Sequence, residues 1–209
     1  MAILTREFYN GDTVDIARAL LGKYLVRRID SETLVCRIIE TEAYVGRCDR
    51  ACHAFGYRKT NRNAVMFGPP GHAYIYFIYG MHFCLNFVTE PEGEPSAVLL
   101  RGAEPVCGAD SMCRARFGLN ICSEMTPYQR KNFMNGPGKV CKALSLSTEQ
   151  NAMDLTGNEL FLCDSPLDIG FPCPAIAEQE RICCGPRIGV DYAGEDKELP
   201  WRFLLKKGE

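Results

Sequence analysis

The stretch Thr33-Leu-Val-Cys-Arg-Ile-Ile39, continued by Glu40-Thr-Glu-Ala-Tyr-Val-Gly46, reads as one long β-strand whose second half turns polar. Its first half is apolar and rich in β-branched residues, the composition that fits a pleated, half-buried surface. Successive side chains of a strand point to opposite faces, so Glu40, Glu42 and Tyr44 are expected to share one face. A carboxylate beside an aromatic ring at a strand end suits a flat organic substrate: the ring takes its face and the carboxylate works on a bond at its edge. The polar outer face of a half-buried strand gives the same pattern. The stretch alone leaves both readings open.

Working outward, Lys23-Tyr-Leu-Val-Arg-Arg-Ile29 predicts a preceding strand, with Asp30-Ser-Glu32 as the turn of a hairpin. Before it, Asp12 reads as an N-cap, and Val14, Ile16, Ala17, Leu20 and Leu21 form the apolar stripe of a short helix ending at Gly22. Downstream, Arg47 to Gly71 is a polar, basic loop without periodicity, and a loop so long inside a compact domain is more often functional than idle. It contains His53, although a lone histidine is more often a surface or hydrogen-bonded structural residue than a catalyst. The block Ala73-Tyr-Ile-Tyr-Phe-Ile-Tyr-Gly-Met-His-Phe-Cys-Leu-Asn-Phe-Val88 predicts two strands joined around Tyr79-Gly80-Met81. An aromatic ring at a hairpin tip implies contact with another molecule. Tyr76 is expected inside on the first strand. Asn86 falls on the returning strand, where a buried amide must brace the turn or read a ligand's edge.

Ala97-Val-Leu-Leu-Arg-Gly-Ala103 is a further strand, interrupted by Arg101, a cation that needs a carboxylate such as Glu42. Helical patterns follow around Ala109–Phe117 and Pro127–Phe133, and Asn135-Gly-Pro-Gly-Lys139 opens another helix with a Gly-rich turn. Backbone N–H groups there, at Gly138 and beside Lys139, suit a phosphate oxygen, and a plain capping turn accounts for the same residues. Arg187-Ile-Gly-Val190 and Trp201-Arg-Phe-Leu-Leu205 read as core strands. The closely spaced strand pairs predict an α+β fold on a mostly antiparallel sheet, as one domain spanning residues 1–209.

With 209 residues, 46% of them hydrophobic, the chain can bury a full core. It has no apolar run long enough to span a bilayer, and its first residues lack the features of a signal peptide. A soluble, intracellular protein is expected, in the cytoplasm or nucleoid if the cell is bacterial. Twelve cysteines without one C-x-x-C pair are expected to be reduced thiols in small apolar sites, and no metal is expected. Cys48, Cys52 and His53 are the one cluster that competes as a metal site. The net charge of −2 argues against general nucleic-acid stickiness. Yet the cations gather locally, at Arg47, Arg50, Arg58, Lys59 and Arg62 and again at Arg114, Arg116, Arg130, Lys131, Lys139 and Lys142. Two such segments could follow a phosphate backbone or could be ordinary solvated surface.

Taken together, these blocks resemble the alkyladenine (methylpurine, 3-methyladenine) DNA glycosylase family. The matching text runs through Arg18-Ala-Leu-Leu-Gly22, Ile39-Glu-Thr-Glu-Ala-Tyr44, Tyr76-Phe-Ile-Tyr-Gly-Met81, Leu99-Leu-Arg101, Gly136-Pro-Gly-Lys139 and Ile188-Gly-Val190, nearly the whole chain in order. The resemblance implies a monofunctional base-excision-repair hydrolase that needs no cofactor and acts as a monomer on double-stranded DNA. It would flip damaged purines out of the duplex and hydrolyse the N-glycosidic bond. Expected substrates are 3-methyladenine and 7-methylguanine, with hypoxanthine and ethenoadenine as further candidates. It implies Glu42 as general base for water with Arg101 beside it, and Tyr44, His53 and Tyr76 against the flipped base. Asn86 would clash with a guanine 2-amino group. Tyr79, with Met81, would wedge into the duplex, and Lys139 and Gly138 would contact phosphate. It also implies that the sheet is curved, with short helices flanking it and the Tyr79 hairpin projecting. His82 and the Cys- and Arg-rich loop depart from the family's pattern and put lesion preference and DNA affinity in question. A non-catalytic binder of damaged DNA or structured RNA is the alternative.

Overall fold

The computed structural model describes residues 3–172 and 180–207. Its frame is a single curled antiparallel sheet of eight strands. The strands are β1 (Tyr24–Ile29), β2 (Glu32–Val45), β3 (Ala73–Ile78), β4 (His82–Thr89), β5 (Ser96–Cys107), β6 (Leu160–Cys163), β7 (Glu180–Gly185) and β8 (Arg202–Lys207). The main path runs β3-β4-β5-β2-β1-β6, with β8 joining β2 and β7 joining β8. The helices are short: α1 (Arg6–Tyr9), α2 (Thr13–Ala19), α3 (Ala109–Phe117), α4 (Pro127–Lys131) and α5 (Pro137–Ala143).

The predicted strand over 33–46 is β2, the longest strand and the axis of the sheet. Its first half pairs with β1 through the Asp30-Ser31 turn, where Asp30 takes the left-handed φ of 51°. Its second half lies between β5 and β8, and Glu42 is registered opposite Leu99 on one side and Arg202 on the other. Glu42 is therefore fixed on a strand that is hydrogen-bonded on both edges. Irregularities in register around Ile38, Glu40 and Thr41 bend the strand there, as a bulge does.

The helices cover one face of this sheet. Asp12 caps α2 by accepting from the N–H groups of Val14 and Asp15, and Ile16, Ala17 and Leu20 enter the main core. Thr41 Oγ1 donates to Ala17 O at 2.7 Å and so ties α2 to the strand of the site. Val140, Cys141, Ala143 and Leu144 anchor α5 in the same core, next to β4 and β5. Eleven described cysteines are free thiols and six are buried, while Cys173 lies outside the described residues. No helix among the described residues is long and apolar enough to cross a membrane.

Two expectations are corrected. The Pro127 helix ends at Lys131, before Phe133. Arg187–Val190 is a loop and not a strand: Gly189 has φ of 78° and breaks the extended run, and Arg187 turns inward to meet Asp49.

Candidate active site

A cavity of about 770 Å³ opens where the second halves of β2 and β5 meet β3, β4 and the loop after β7. Its aromatic side comes from Tyr44 on β2, His53 in the long loop, and Tyr74 and Tyr76 on β3. Tyr74 and Tyr76 are two residues apart on one strand and therefore project to one face. The His53 ring meets Tyr76 edge-on with centroids 4.7 Å apart, and Tyr74 and Tyr76 lie 5.4 Å apart at 40°. Arg62, from the first basic segment, stacks its guanidinium 4.9 Å from the Tyr76 ring.

Glu42 has no exposed surface and lies behind this lining. Its Oε2 accepts from Tyr44 Oη at 2.7 Å and from Arg101 Nη1 at 3.3 Å. Its Oε1 accepts from the backbone N–H of Ile188 at 2.8 Å. Those three donors belong to residues that do line the cavity, so the carboxylate is one contact removed from the space. Burial raises its pKa, while Arg101, the Ile188 N–H and the Tyr44 hydroxyl pull it down, and Glu40 pushes it up again. Arg101 also reaches Glu40 at 3.5 Å, and Glu40 pairs with Arg202 at 3.3 Å. The expected common face for Glu40, Glu42 and Tyr44 holds, as does the expected pairing of Arg101 with Glu42.

His53 Nδ1 is 2.9 Å from Tyr74 Oη. Partial withdrawal of its ring from water, followed by the nearby Arg62 cation, holds its pKa down at about 4. The imidazole is thus neutral at neutral pH. Both amide hydrogens of Asn86 are committed to backbone carbonyls, of Tyr74 at 3.0 Å and Cys84 at 3.4 Å. What Asn86 offers the cavity is its carbonyl oxygen. Its amide does brace the hairpin, one of the two roles left open for it.

Cys48, Cys52 and His53 do not converge. Cys48 is exposed, Cys52 Sγ sits 4.0 Å from Pro95 O, and His53 faces Tyr74. Among the described residues no three His, Cys, Asp or Glu side chains are grouped to hold a metal.

The rim carries the hairpin and the second basic segment. Tyr79 is 80% exposed, and Met81 beside it is exposed as well. Tyr79 and Gly80 both have positive φ, 54° and 67°, and Met81 N donates to Ile78 O, the pattern of a turn with two left-handed central residues. For a bulky residue this backbone is strained, and a ring so exposed offers little packing to offset it. Gly138 fits closely under the hairpin: a Cβ there would stand 2.9 Å from His82 Cβ and Cγ. Lys139 Nζ is held by the carbonyl oxygens of the Asn132 and Asn135 side chains at 2.9 and 2.8 Å. Arg116 is held by the backbone carbonyls of Phe133 and Asn132 at 2.9 and 3.1 Å. Both cations line the cavity and are oriented by neutral oxygens.

The structure thus brings Glu42, Tyr44, His53, Tyr76, Asn86, Arg101, Tyr79, Gly138 and Lys139 around one space, with Met81 on the hairpin tip. Sequence reasoning missed the contributions of Tyr74, Tyr192 and the Ile188 N–H, and had Arg62 and Arg116 only as members of the basic segments. Tyr74 had a signal, since it alternates with Tyr76. A backbone N–H has none.

Comparisons with known proteins give the family. A family model described as methylpurine-DNA glycosylase (MPG) matches residues 7–209. A protein of Methanocella arvoryzae is 46% identical over 99% of this chain and 94% of its own length. One of Bacillus cytotoxicus is 44% identical over 95% and 94%, and one of Clostridium acetobutylicum is 42% identical over 97% and 94%. All three carry the name "Putative 3-methyladenine DNA glycosylase". On likeness that runs the length of both partners, the chain belongs to the methylpurine-DNA glycosylase family of DNA-repair hydrolases.

Proposed function

We propose that this enzyme extrudes alkylated purines, 3-methyladenine and 7-methylguanine first among them, from duplex DNA into the aromatic cavity and hydrolyses their N-glycosidic bond with a water activated by Glu42. The observation that carries the reading is the Glu42 carboxylate, buried yet held by three donors from the cavity wall. Tyr44, His53 and Tyr76 form a site for a flat, electron-poor ring, and an alkylated purine that carries positive charge gains cation–π attraction there. Tyr79 fills the gap left in the stack, which offsets part of the few kcal/mol that extrusion costs. Lys139 and Arg116 meet the phosphate backbone, and steering by such local charge is compatible with an acidic total.

In the chemical step the C1′–N bond breaks and its electron pair leaves with the purine. The oxygen of water bonds to C1′, and the water's proton passes to Glu42. The sugar develops oxocarbenium character on the way, which the ionised carboxylate stabilises. Burial lifts the basicity of Glu42 above that of an exposed glutamate and brings it closer to the operating pH. A cationic alkylated purine leaves as a neutral base. Hypoxanthine and ethenoadenine leave less readily, and a neutral His53 assists them by hydrogen bonding and not as a standing imidazolium.

The test compares wild type with Glu42→Gln on chemically alkylated DNA and on a duplex carrying one hypoxanthine or ethenoadenine. Free base is identified chromatographically, and lesion-duplex binding is measured in parallel. Wild type is expected to release base, while Glu42→Gln binds but releases none. Normal release by Glu42→Gln would refute the assignment. Binding without release from any substrate by wild type would return the binder reading.

A further inference from the structure

Asp49 and Arg187 form an ion pair with no exposed surface on either side chain, 138 residues apart in sequence. Arg187 donates to Asp49 Oδ2 at 2.5 Å and Oδ1 at 2.8 Å, a bidentate fork. It also donates to Ala43 O at 2.9 Å and Asp196 O at 3.0 Å. Its guanidinium lies between two rings, 4.9 Å from Tyr44 and 5.2 Å from Trp201. A buried pair of this kind is weak evidence for a stabilising role, since desolvation costs as much as the attraction returns. What the pair touches is more telling. Ala43 and Tyr44 flank the strand position of Glu42, and Ile188, which follows Arg187, supplies the N–H that Glu42 Oε1 accepts. Ile188 is itself half-exposed, so its own side chain does little to fix that N–H.

We infer that the Asp49–Arg187 pair is a positioning device for the reaction: it clamps the loop after β7 to β2 so that the Ile188 N–H aims at Glu42, and it backs the Tyr44 ring. The inference rests on the reading of Glu42 as the base. Charged and titratable groups facing Glu42 are Arg101 on β5, Glu40 and Tyr44 on β2, Arg187 behind Tyr44, and Cys84 on β4, with Arg202 of β8 engaged by Glu40. The Ile188 N–H favours the ionised carboxylate. If the loop loosens, that donor is lost, and Glu42 should be ionised only at higher pH.

The test uses two variants of the full chain, with single-turnover base release from alkylated duplex measured across pH. Arg187→Lys keeps a charge against Asp49 but cannot fork to Ala43 O and Asp196 O. Asp49→Leu combined with Arg187→Met removes both charges and keeps bulk between the rings. Both are expected to retain a cooperative thermal melt and lesion-duplex binding. The acid limb of their release profile should move up by about one pH unit, with a fall of about tenfold at a pH below the limb's new position. A melt and a pH profile both matching wild type in the charge-free double variant would overturn the proposal and leave the pair a packing feature. So would an Arg187→Lys enzyme whose loss of rate follows only its loss of folded protein. Glu42→Gln run alongside separates the two failures: release by that variant refutes the base itself, whereas no release together with unshifted limbs refutes only the positioning.

Discussion

Tyr79→Gly should make the protein more stable and the enzyme worse. Tyr79 holds φ of 54° at the hairpin tip with its ring 80% exposed. A side chain in that backbone region costs about 1–3 kcal/mol, and glycine removes the cost at an entropic penalty of about 0.5–1 kcal/mol. The net effect on the fold is a gain of up to about 2 kcal/mol, because a ring 80% exposed forfeits little packing when it is removed. In the complex the balance reverses. A wedge that buries roughly 100–150 Å² of aromatic surface is worth about 3 kcal/mol at ~25 cal/mol per Å², or about a hundredfold in affinity. Urea unfolding of wild type and variant gives the first quantity, and titration of a lesion duplex gives the second. Single-turnover release at saturating enzyme then tells whether extrusion has also slowed. A variant that unfolds at lower urea, or that binds lesion DNA like wild type, would refute the reasoning. The first result would mean that the ring supports the hairpin, and the second that it does not enter the duplex.

Arg101→Met removes the strongest group that keeps Glu42 ionised, and the acid limb of base release should move up by about one to three pH units. The same change bears on stability: because Glu42's folded pKa lies above its unfolded value, its contribution is present at low pH and lost as pH rises through the folded pKa, so denaturation measured upward from the ordinary glutamate range should show a deeper loss in the variant. An unmoved limb would separate Arg101 from the base. Gly138→Ala places a methyl group 2.9 Å from His82, and the cost of about 1–3 kcal/mol for such overpacking should push the hairpin away from α5. Lesion-duplex affinity is expected to fall about tenfold and the melting temperature by a few degrees, and unchanged binding would show that the hairpin's seat is not set there. His53 titrates near 4, so hypoxanthine release should gain nothing from His53 protonation between pH 8 and 6. His53→Gln should lower that rate without changing the profile's shape, and an inflection near 6.5 that the substitution removes would contradict this.

What could be read from the sequence was whatever a single strand or a single turn imposes. Alternation put Glu42 and Tyr44 on one face because β2 keeps a regular register with β5 from Thr41 to Val45, past the irregularity at Glu40. A tyrosine followed by glycine marked the hairpin tip because only a turn explains that pair between two aromatic strands. Arg101 drew attention because a cation in an apolar run needs an anion, and the anion is Glu42. The basic segments were ambiguous as composition, and the structure sorts them: Arg62, Arg116 and Lys139 line the cavity, whereas Arg47 is spent on Glu90.

The parts that escaped share one physical character: they depend on chain segments meeting that no local rule connects. Arg187-Ile-Gly-Val190 has the composition of a core strand, and only its partner, Asp49, far earlier in the chain, explains why Arg187 turns inward and the run becomes a loop. The consequence is chemical as well as topological. A strand there would commit its N–H groups to a neighbouring ladder, whereas the loop leaves the Ile188 N–H free to point at Glu42. The carboxylate needs such donors because it has no exposed surface, and burial without them would favour its protonated form. In the proposed arrangement a distant ion pair adds a backbone amide to the Tyr44 and Arg101 donors that hold this buried glutamate on its strand. The same logic explains why Glu42, Tyr44 and Arg101 were legible in the sequence while the loop amide and the ion pair behind it were not.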